Sequence, residues 1–232
     1  MWKLGFDLTP FTVKSNATAR RKFLLNQYAI DTVLDVGASN GRYGFALREV
    51  MNYRGRIVSF EPMQAPFAVL NARASNDSQW TALNYALGES NEDSSINVAA
   101  NSSSSSILGM LPAHEQAKPS SAYVKREQIQ IRTLDSVFDE ICGTARSIYM
   151  KLDTQGFEEA ILRGAKHSLD RINTIQLEMS IVPLYEDTTL FAGMVELMQE
   201  KGYMLVGLES GFVDKKTGQL MQIDGIFRRV RP

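Results

Sequence analysis

Val33-Leu34-Asp35-Val36-Gly37-Ala38-Ser39-Asn40-Gly41 is the stretch on which the fold turns. Asp31 to Val36 reads as a buried strand, with Val33, Leu34 and Val36 as its apolar residues. Two glycines interrupt it, and a helical pattern through Phe45, Leu47 and Val50 follows. Gly37 and Gly41 let the backbone approach a ligand closely, and Gly44 lets the helix pack against the strand. In α/β sheets a ligand binds beyond the carboxyl ends of the strands, near the switch point of the topology. The turn after this first strand is therefore the place to look.

Outward from it the same alternation recurs. Arg56 to Phe60 reads as a second strand, Pro66 to Ala74 as a helix with Phe67, Leu70 and Ala74 on one face, and Trp80 to Ala86 as a third strand ending at Gly88. Residues 89–126 break the rhythm: a weak edge-strand alternation at Ser94 to Ala99, then an unbroken serine run at Ser102 to Ser106, then Pro119. So long an irregular connection is expected to be a functional loop, a lid or a flexible linker. A strand at Ile129 and Ile131 and a helix over Leu134 to Ile141 restore the pattern. Ser147 to Leu152 is a strand, Phe157 to Leu162 a helix stopped by Gly164, Thr174 to Met179 a strand and Leu190 to Lys201 a helix. Tyr203 to Leu208 and Gln222 to Phe227 close the chain as two strands joined by a turn at Asp214 to Gly218. The expectation is one Rossmann-like α/β domain over residues 1–232. It has a seven-stranded, mostly parallel sheet, helices on both faces and a C-terminal antiparallel hairpin. Residues 1–22 are an N-terminal extension.

Bulk properties narrow the function. The 232 residues are 44% hydrophobic and 22% charged with a net charge of −1, so no charge excess favours nucleic acid or an anionic membrane. The basic clusters Arg20-Arg21-Lys22 and Arg228, Arg229 and Arg231 are short enough to be solvated faces. One cysteine, Cys142, excludes an intramolecular disulfide and reads as a small buried hydrophobe. Met1 to Asp7 shows no charged-then-apolar leader and no run is long enough to span a bilayer, so a cytoplasmic enzyme is expected. No His and carboxylate cluster has metal spacing, so no metal is assigned.

Glycine spacing alone does not choose between nicotinamide, flavin and S-adenosylmethionine (SAM). Asp35 does. A dinucleotide lays a pyrophosphate over this turn, and a carboxylate two residues before the first glycine repels it. SAM has no phosphate and carries an ammonium and a sulfonium, which a carboxylate attracts. Ser39 also replaces the middle glycine of the dinucleotide fingerprint. The plainer alternative is an aspartate that caps the helix. Glu61, ending Ile57-Val58-Ser59-Phe60-Glu61-Pro62, suits a bidentate grip on ribose hydroxyls, with Pro62 stiffening the turn; a solvated strand-end charge is its plainer reading.

VLDVGASNG, IVSFEP, ALG at Ala86 to Gly88, SSIL, TLDS at Thr133 to Ser136, YMKLDTQGFE, QLEMS and PLYE, with Gly164-Ala165 downstream, together resemble an FkbM-type methyltransferase. The resemblance runs from about Phe23 to the C-terminus. It implies a class I methyltransferase fold, SAM as donor, and O-methylation of a sugar, glycan or small natural product. By it Asp35, Gly37, Ser39 and Gly41 hold the methionine part of SAM, Glu61 holds the ribose, and Asn84 to Leu87, Ala86 among them, border the adenine. Many members carry a glutamate where this chain has Gln155.

Methyl transfer is an in-line displacement, so the protein mainly aligns acceptor, methyl and sulfur, and a hydroxyl acceptor must also lose its proton. Asp153, at the end of the fourth strand, is placed to stabilise the sulfonium, orient the acceptor or take that proton. Glu158 and Glu178 are expected near the same cleft; Glu158 suits a helix N-terminus equally well, and Glu178 an ion pair with Lys151. His114 is a candidate base if the loop folds over the cofactor, or else a solvated loop residue; His167 reads as surface. The serine run is either a linker or a loop facing cofactor and acceptor, anchored by Ile107 and Leu108. Two rival functions remain open: a nicotinamide-dependent oxidoreductase, and a binding module that keeps the fold without chemistry.

Overall fold

In chain order the elements are α1 (Ala17–Gln27), β1 (Thr32–Val36), α2 (Arg42–Glu49), β2 (Arg56–Phe60), α3 (Gln64–Ala74), β3 (Trp80–Leu83), β4 (Ala86–Leu87), β5 (Glu92–Ala99) and α4 (Pro112–Ala117). There follow β6 (Tyr123–Arg132), α5 (Leu134–Cys142), β7 (Ile148–Leu152), α6 (Glu158–Arg163), β8 (Ile172–Ser180), α7 (Phe191–Glu200), β9 (Tyr203–Ser210) and β10 (Gln222–Arg229). This computed structural model describes residues 9–230. The leader reading at Met1 to Asp7, and Arg231, lie outside the described residues.

Every residue of β1 is buried, because both faces of the sheet are covered. Val33 packs with Leu25, Leu47 and Leu70 from α1, α2 and α3. Leu34 and Val36 point the other way, into a core completed by α5, α6 and α7 through Phe138, Ile161 and Met194. Val33, Leu34 and Val36 supply the apolar groups that a strand buried on two sides needs, while Thr32 and Asp35 are buried polar residues within it. The large sheet has the order β3-β2-β1-β7-β8-β10-β9. Pairing is parallel from β3 through β8, and β10 is antiparallel to both β8 and β9. The expected seven strands and closing hairpin are present, with the last strand inserted beside β8 and the one before it at the edge.

Three segments depart from the reading above. Trp80 to Ala86 is not one strand: β3 ends at Leu83, and the Asn84 amide turns back to donate to the carbonyls of Glu61 and Pro62 at 2.9 and 3.0 Å. Ala86 and Leu87 then join a second, three-stranded sheet of order β4-β6-β5. Residues 89–126 are accordingly less irregular than expected, holding β5, α4 and the start of β6; β5 pairs antiparallel with β6 along its whole length. The alternation at Ser94 to Ala99 is weak because residues 96–99 are all buried, Ile96 and Val98 in a small core around Met63, Ala86 and Ile131 and Asn97 against the carbonyls of Ser106 and Leu108.

The basic clusters are staples as well as solvated groups. Arg20 and Arg21 of α1 reach Glu209 of β9 at 3.9 and 3.4 Å, and Arg229 of β10 reaches Asp170 at 3.3 Å. Arg228 lies over the Tyr28 ring. Their long stems cover apolar surface while the heads find carboxylates and rings, an outcome set by which strands lie at the sheet edge.

Candidate functional site

The carboxyl ends of β1, β2 and β7 open into two adjoining cavities that share Gly37, Ser39, Ser102, Ser103 and Asp153. The first is walled mainly by apolar groups, among them Phe60, Pro62, Ala86, Ile107 and Phe157, with Glu61 at its edge. The second is polar and presents Asp35, Asn40, Arg42, Tyr43 and Lys151.

The glycine turn has two jobs. Gly37 sits at φ +78°, and a Cβ there would stand 2.0 Å from the Asp153 carbonyl oxygen, so only glycine lets β1 and β7 end this close together. Gly41 does not line either cavity; at φ +79° it starts α2, and a Cβ would press on Leu70 and Trp80. Gly44 one turn later leaves room for the Trp80 ring, as expected of it.

Asp35 is fully buried, with Ser59 Oγ at 3.3 Å from Oδ2 and no hydrogen-bond partner for Oδ1. Ser59 is held in turn by the Trp80 indole N–H at 3.0 Å. Burial, opposed by Lys151, raises the Asp35 carboxyl to about 6. It does not cap α2, whose N-terminus has no side-chain cap. Glu61 is also buried; its Oε2 accepts from the Ser39 N–H at 2.8 Å and its Oε1 from the Met63 N–H at 2.9 Å. Burial raises it to about 7 against those two hydrogen bonds. It is a fixed wall of the first cavity rather than a solvated strand-end charge.

At the ends of β7 and β8 the carboxylates sort themselves. Lys151 Nζ donates to Asp153 Oδ2 at 2.9 Å, and Gln155 Nε2 to Asp153 Oδ1 at 3.1 Å. Burial pushes the Asp153 carboxyl up, but the Lys151 charge and these hydrogen bonds hold it below the usual carboxylate range. Lys151 therefore pairs with Asp153 and not with Glu178. Glu178 Oε2 instead accepts from Gln155 and Gln222 amides at 2.7 and 2.6 Å. Burial, with Asp153, Glu158 and Asp224 nearby, drives the Glu178 carboxyl well above its ordinary value. Glu158 takes the architectural role: it accepts from Thr154 N–H and Oγ–H at 2.8 and 2.9 Å and from the Gly156 N–H at 3.1 Å, closing the turn before α6.

The serine run folds over these cavities. Ser102 and Ser103 line both, and Ser106 Oγ donates to the Gln155 carbonyl at 2.8 Å. Ile107 and Leu108 anchor the loop in separate apolar clusters. His114 lies elsewhere. It is on α4, 1% exposed, between the rings of Tyr185 and Phe212, and among the residues lining neither cavity. Burial lowers its imidazole to about 4, so it is neutral in a packed layer behind Tyr185.

A family model, the methyltransferase FkbM domain, matches residues 35–205, most of the chain and the whole span from Asp35 through Glu178. The chain belongs to the FkbM methyltransferase family. The match is narrower at both ends than the resemblance read from Phe23 onward. Among solved structures, a protein in the NADB-Rossmann superfamily from Streptococcus agalactiae is 9% identical over 98% of this chain and 72% of its own, with a TM-score of 0.50. A magnesium protoporphyrin IX methyltransferase from Synechocystis PCC 6803 with bound SAM is 8% identical over 92% and 78%, TM-score 0.48. An rRNA methylase from Streptococcus thermophilus is 10% identical over 93% and 98%, TM-score 0.47. These are likenesses of fold. No curated protein matches the chain.

In this FkbM methyltransferase, then, Asp35, Gly37, Ser39, Glu61, Pro62, Ala86 and Asp153 meet at one pair of cavities. Gly41 stands behind them as packing, Glu178 joins through Gln155, and His114 is set apart. Sequence reading passed over Ser59, Tyr43 and Gln222. Ser59 is signalled only by its register opposite Asp35. Tyr43 and Gln222 carry no motif at all. Among the described residues no helix is long and apolar enough to cross a membrane, and no group of three or more His, Cys, Asp and Glu is arranged to hold a metal.

Proposed function

We propose that this methyltransferase uses SAM and delivers its methyl group to a hydroxyl of a sugar, glycan or small natural product, in the cytoplasm. The observation that carries the choice of SAM is the Asp35 carboxylate, buried against the polar cavity with one oxygen unpartnered. A buried, unpartnered carboxylate oxygen is costly unless a ligand brings a cation or a donor to it. The ammonium of SAM does so, whereas the diphosphate of a dinucleotide adds like charge. The residues present thus fit SAM. When bound, it supplies a methyl already activated on a sulfonium.

The chain's own groups then divide the work. Glu61 keeps free lone pairs on both oxygens for the ribose hydroxyls, since each accepts only one backbone N–H. Pro62, Ala86 and Phe157 give the base an apolar slot. Asp153, on the wall common to both cavities, stays ionised beside Lys151 and offers the carboxylate that orients an acceptor hydroxyl and receives its proton. Glu178, its carboxyl raised by burial and by its acidic neighbours, accepts the Gln155 and Gln222 amides beside it. The serine loop supplies hydroxyls and backbone where an acceptor must enter. A net charge of −1 supports a small or glycan acceptor over nucleic acid.

Calorimetric titration with SAM and with NAD tests the cofactor; saturable heat from NAD alone sinks the reading. Transfer of a labelled methyl from SAM into sugars and other polyols tests the chemistry. SAM binding with no transfer to any hydroxyl favours a module that binds without catalysis.

A further inference from the structure

One residue ties together groups that belong to four separate segments. Gln155 lies in the turn after β7 at φ +57°, a left-handed conformation uncommon for a residue with a side chain. That backbone aims the amide back under the cavity floor, where only 9% of the residue is exposed. Its Nε2 carries two hydrogens and spends both: one on Asp153 Oδ1 at 3.1 Å, one on Glu178 Oε2 at 2.7 Å. Its Oε1 accepts from the Tyr185 hydroxyl at 2.7 Å, and its backbone carbonyl accepts from Ser106 of the serine loop at 2.8 Å. Tyr185 Oη also lies 3.4 Å from the Ser104 carbonyl, so the loop reaches the same amide by two routes.

A glutamate at this position would have no N–H. It would bring a third carboxyl between Asp153 and Glu178 and leave Asp153 held from the Lys151 side only. The amide instead lets a neutral donor stand between two carboxyls. Resting on the SAM reading above, we propose that Gln155 is a positioning residue: its amide clamps the Asp153 carboxylate toward the sulfonium position and latches the serine loop above it.

The test uses the intact chain and two nucleoside probes, S-adenosylhomocysteine, neutral at sulfur, and sinefungin, which carries an amine cation near the same place. Their affinity ratio reads the charge presented by Asp153 and is insensitive to general loosening of the site. Gln155→Leu keeps nearly the same size, removes both donors and adds no charge beside the cation position. The expected result is about a tenfold fall in sinefungin affinity relative to S-adenosylhomocysteine, on the scale of one charge-assisted contact. Gln155→Ala, which also has no donor, is expected to show the same fall. Equal losses for both probes, or a wild-type ratio in Gln155→Leu, overturn the clamp while leaving SAM binding intact. Failure of the wild type to bind either probe overturns the cofactor reading and this inference with it.

Discussion

A carboxylate buried without a full set of partners is a liability to the empty protein and an asset to the loaded one. Asp35→Asn removes the charge that burial penalises while keeping the shape of the side chain. The expected result is an unchanged or higher melting temperature together with a loss of SAM affinity of tenfold or more, about 1.4 kcal/mol. Calorimetry and thermal denaturation on one preparation check both halves; an unaltered affinity counts against Asp35 as a ligand. Glu61 gives the pH dependence. Its folded pKa of about 7 lies above the ordinary value of 4.5, so the folded protein holds more protons than the unfolded chain between those two values. Its contribution to stability is therefore full below about 4.5 and declines as the pH rises through about 7. SAM affinity runs the opposite way, since only the ionised carboxylate accepts from both ribose hydroxyls. Wild type is expected to show both slopes, and Glu61→Gln to flatten the stability slope; denaturation midpoints from pH about 5 to about 8 measure it.

At the scale of elements, the cavities exist because α2 can lie close against β3. Gly44 is the contact: a Cβ would stand 2.2 Å from the Trp80 ring, and that ring also holds Ser59, which holds Asp35. Gly44→Ala is expected to push α2 outward and destabilise the fold by about 1–3 kcal/mol, the usual size of an overpacking strain. SAM affinity should fall with it because the disturbance travels through Trp80 and Ser59 to the Asp35 carboxylate. Urea denaturation with and without SAM separates the two effects; a variant that melts like the wild type contradicts this packing. The glycines after β1 could be read for closeness, but their partners could not. Which of Gly37, Gly41 and Gly44 faces a ligand and which faces a tryptophan depends on where β3 and β7 lie, and both are distant in sequence.

For the whole molecule, the site is assembled from strand ends, the turn after β7 and a loop between β5 and α4, so ligand binding should stabilise all of it. At a SAM concentration a hundred times the dissociation constant, mass action contributes about 2.7 kcal/mol. For a chain of this size that corresponds to a rise in melting temperature of roughly 5–10 °C. NAD at the same concentration is expected to leave the melting temperature where it was. Differential scanning fluorimetry with the two ligands checks this, and an equal shift from NAD speaks against the charge argument at Asp35. The second sheet matters at this scale too. It turns residues 92–132 from an apparent linker into a frame that carries the serine loop across the wall of the first cavity.

Alone, the order of residues determined the class of fold and marked one glycine turn, with its aspartate, as the candidate site. Those depend on local quantities: apolar runs of strand length, glycines between them, and an aspartate beside the first glycine. Tertiary structure decided in which direction each carboxyl is pushed. Asp153 and Glu178 look alike in sequence, each ending a strand. Both are buried, and only their neighbours in space, Lys151 at one and a set of acidic groups at the other, hold the first below its ordinary range and drive the second above it. It likewise decided that His114 is packed between rings, because burial is a property of what folds back over a residue and leaves no mark on the residues beside it.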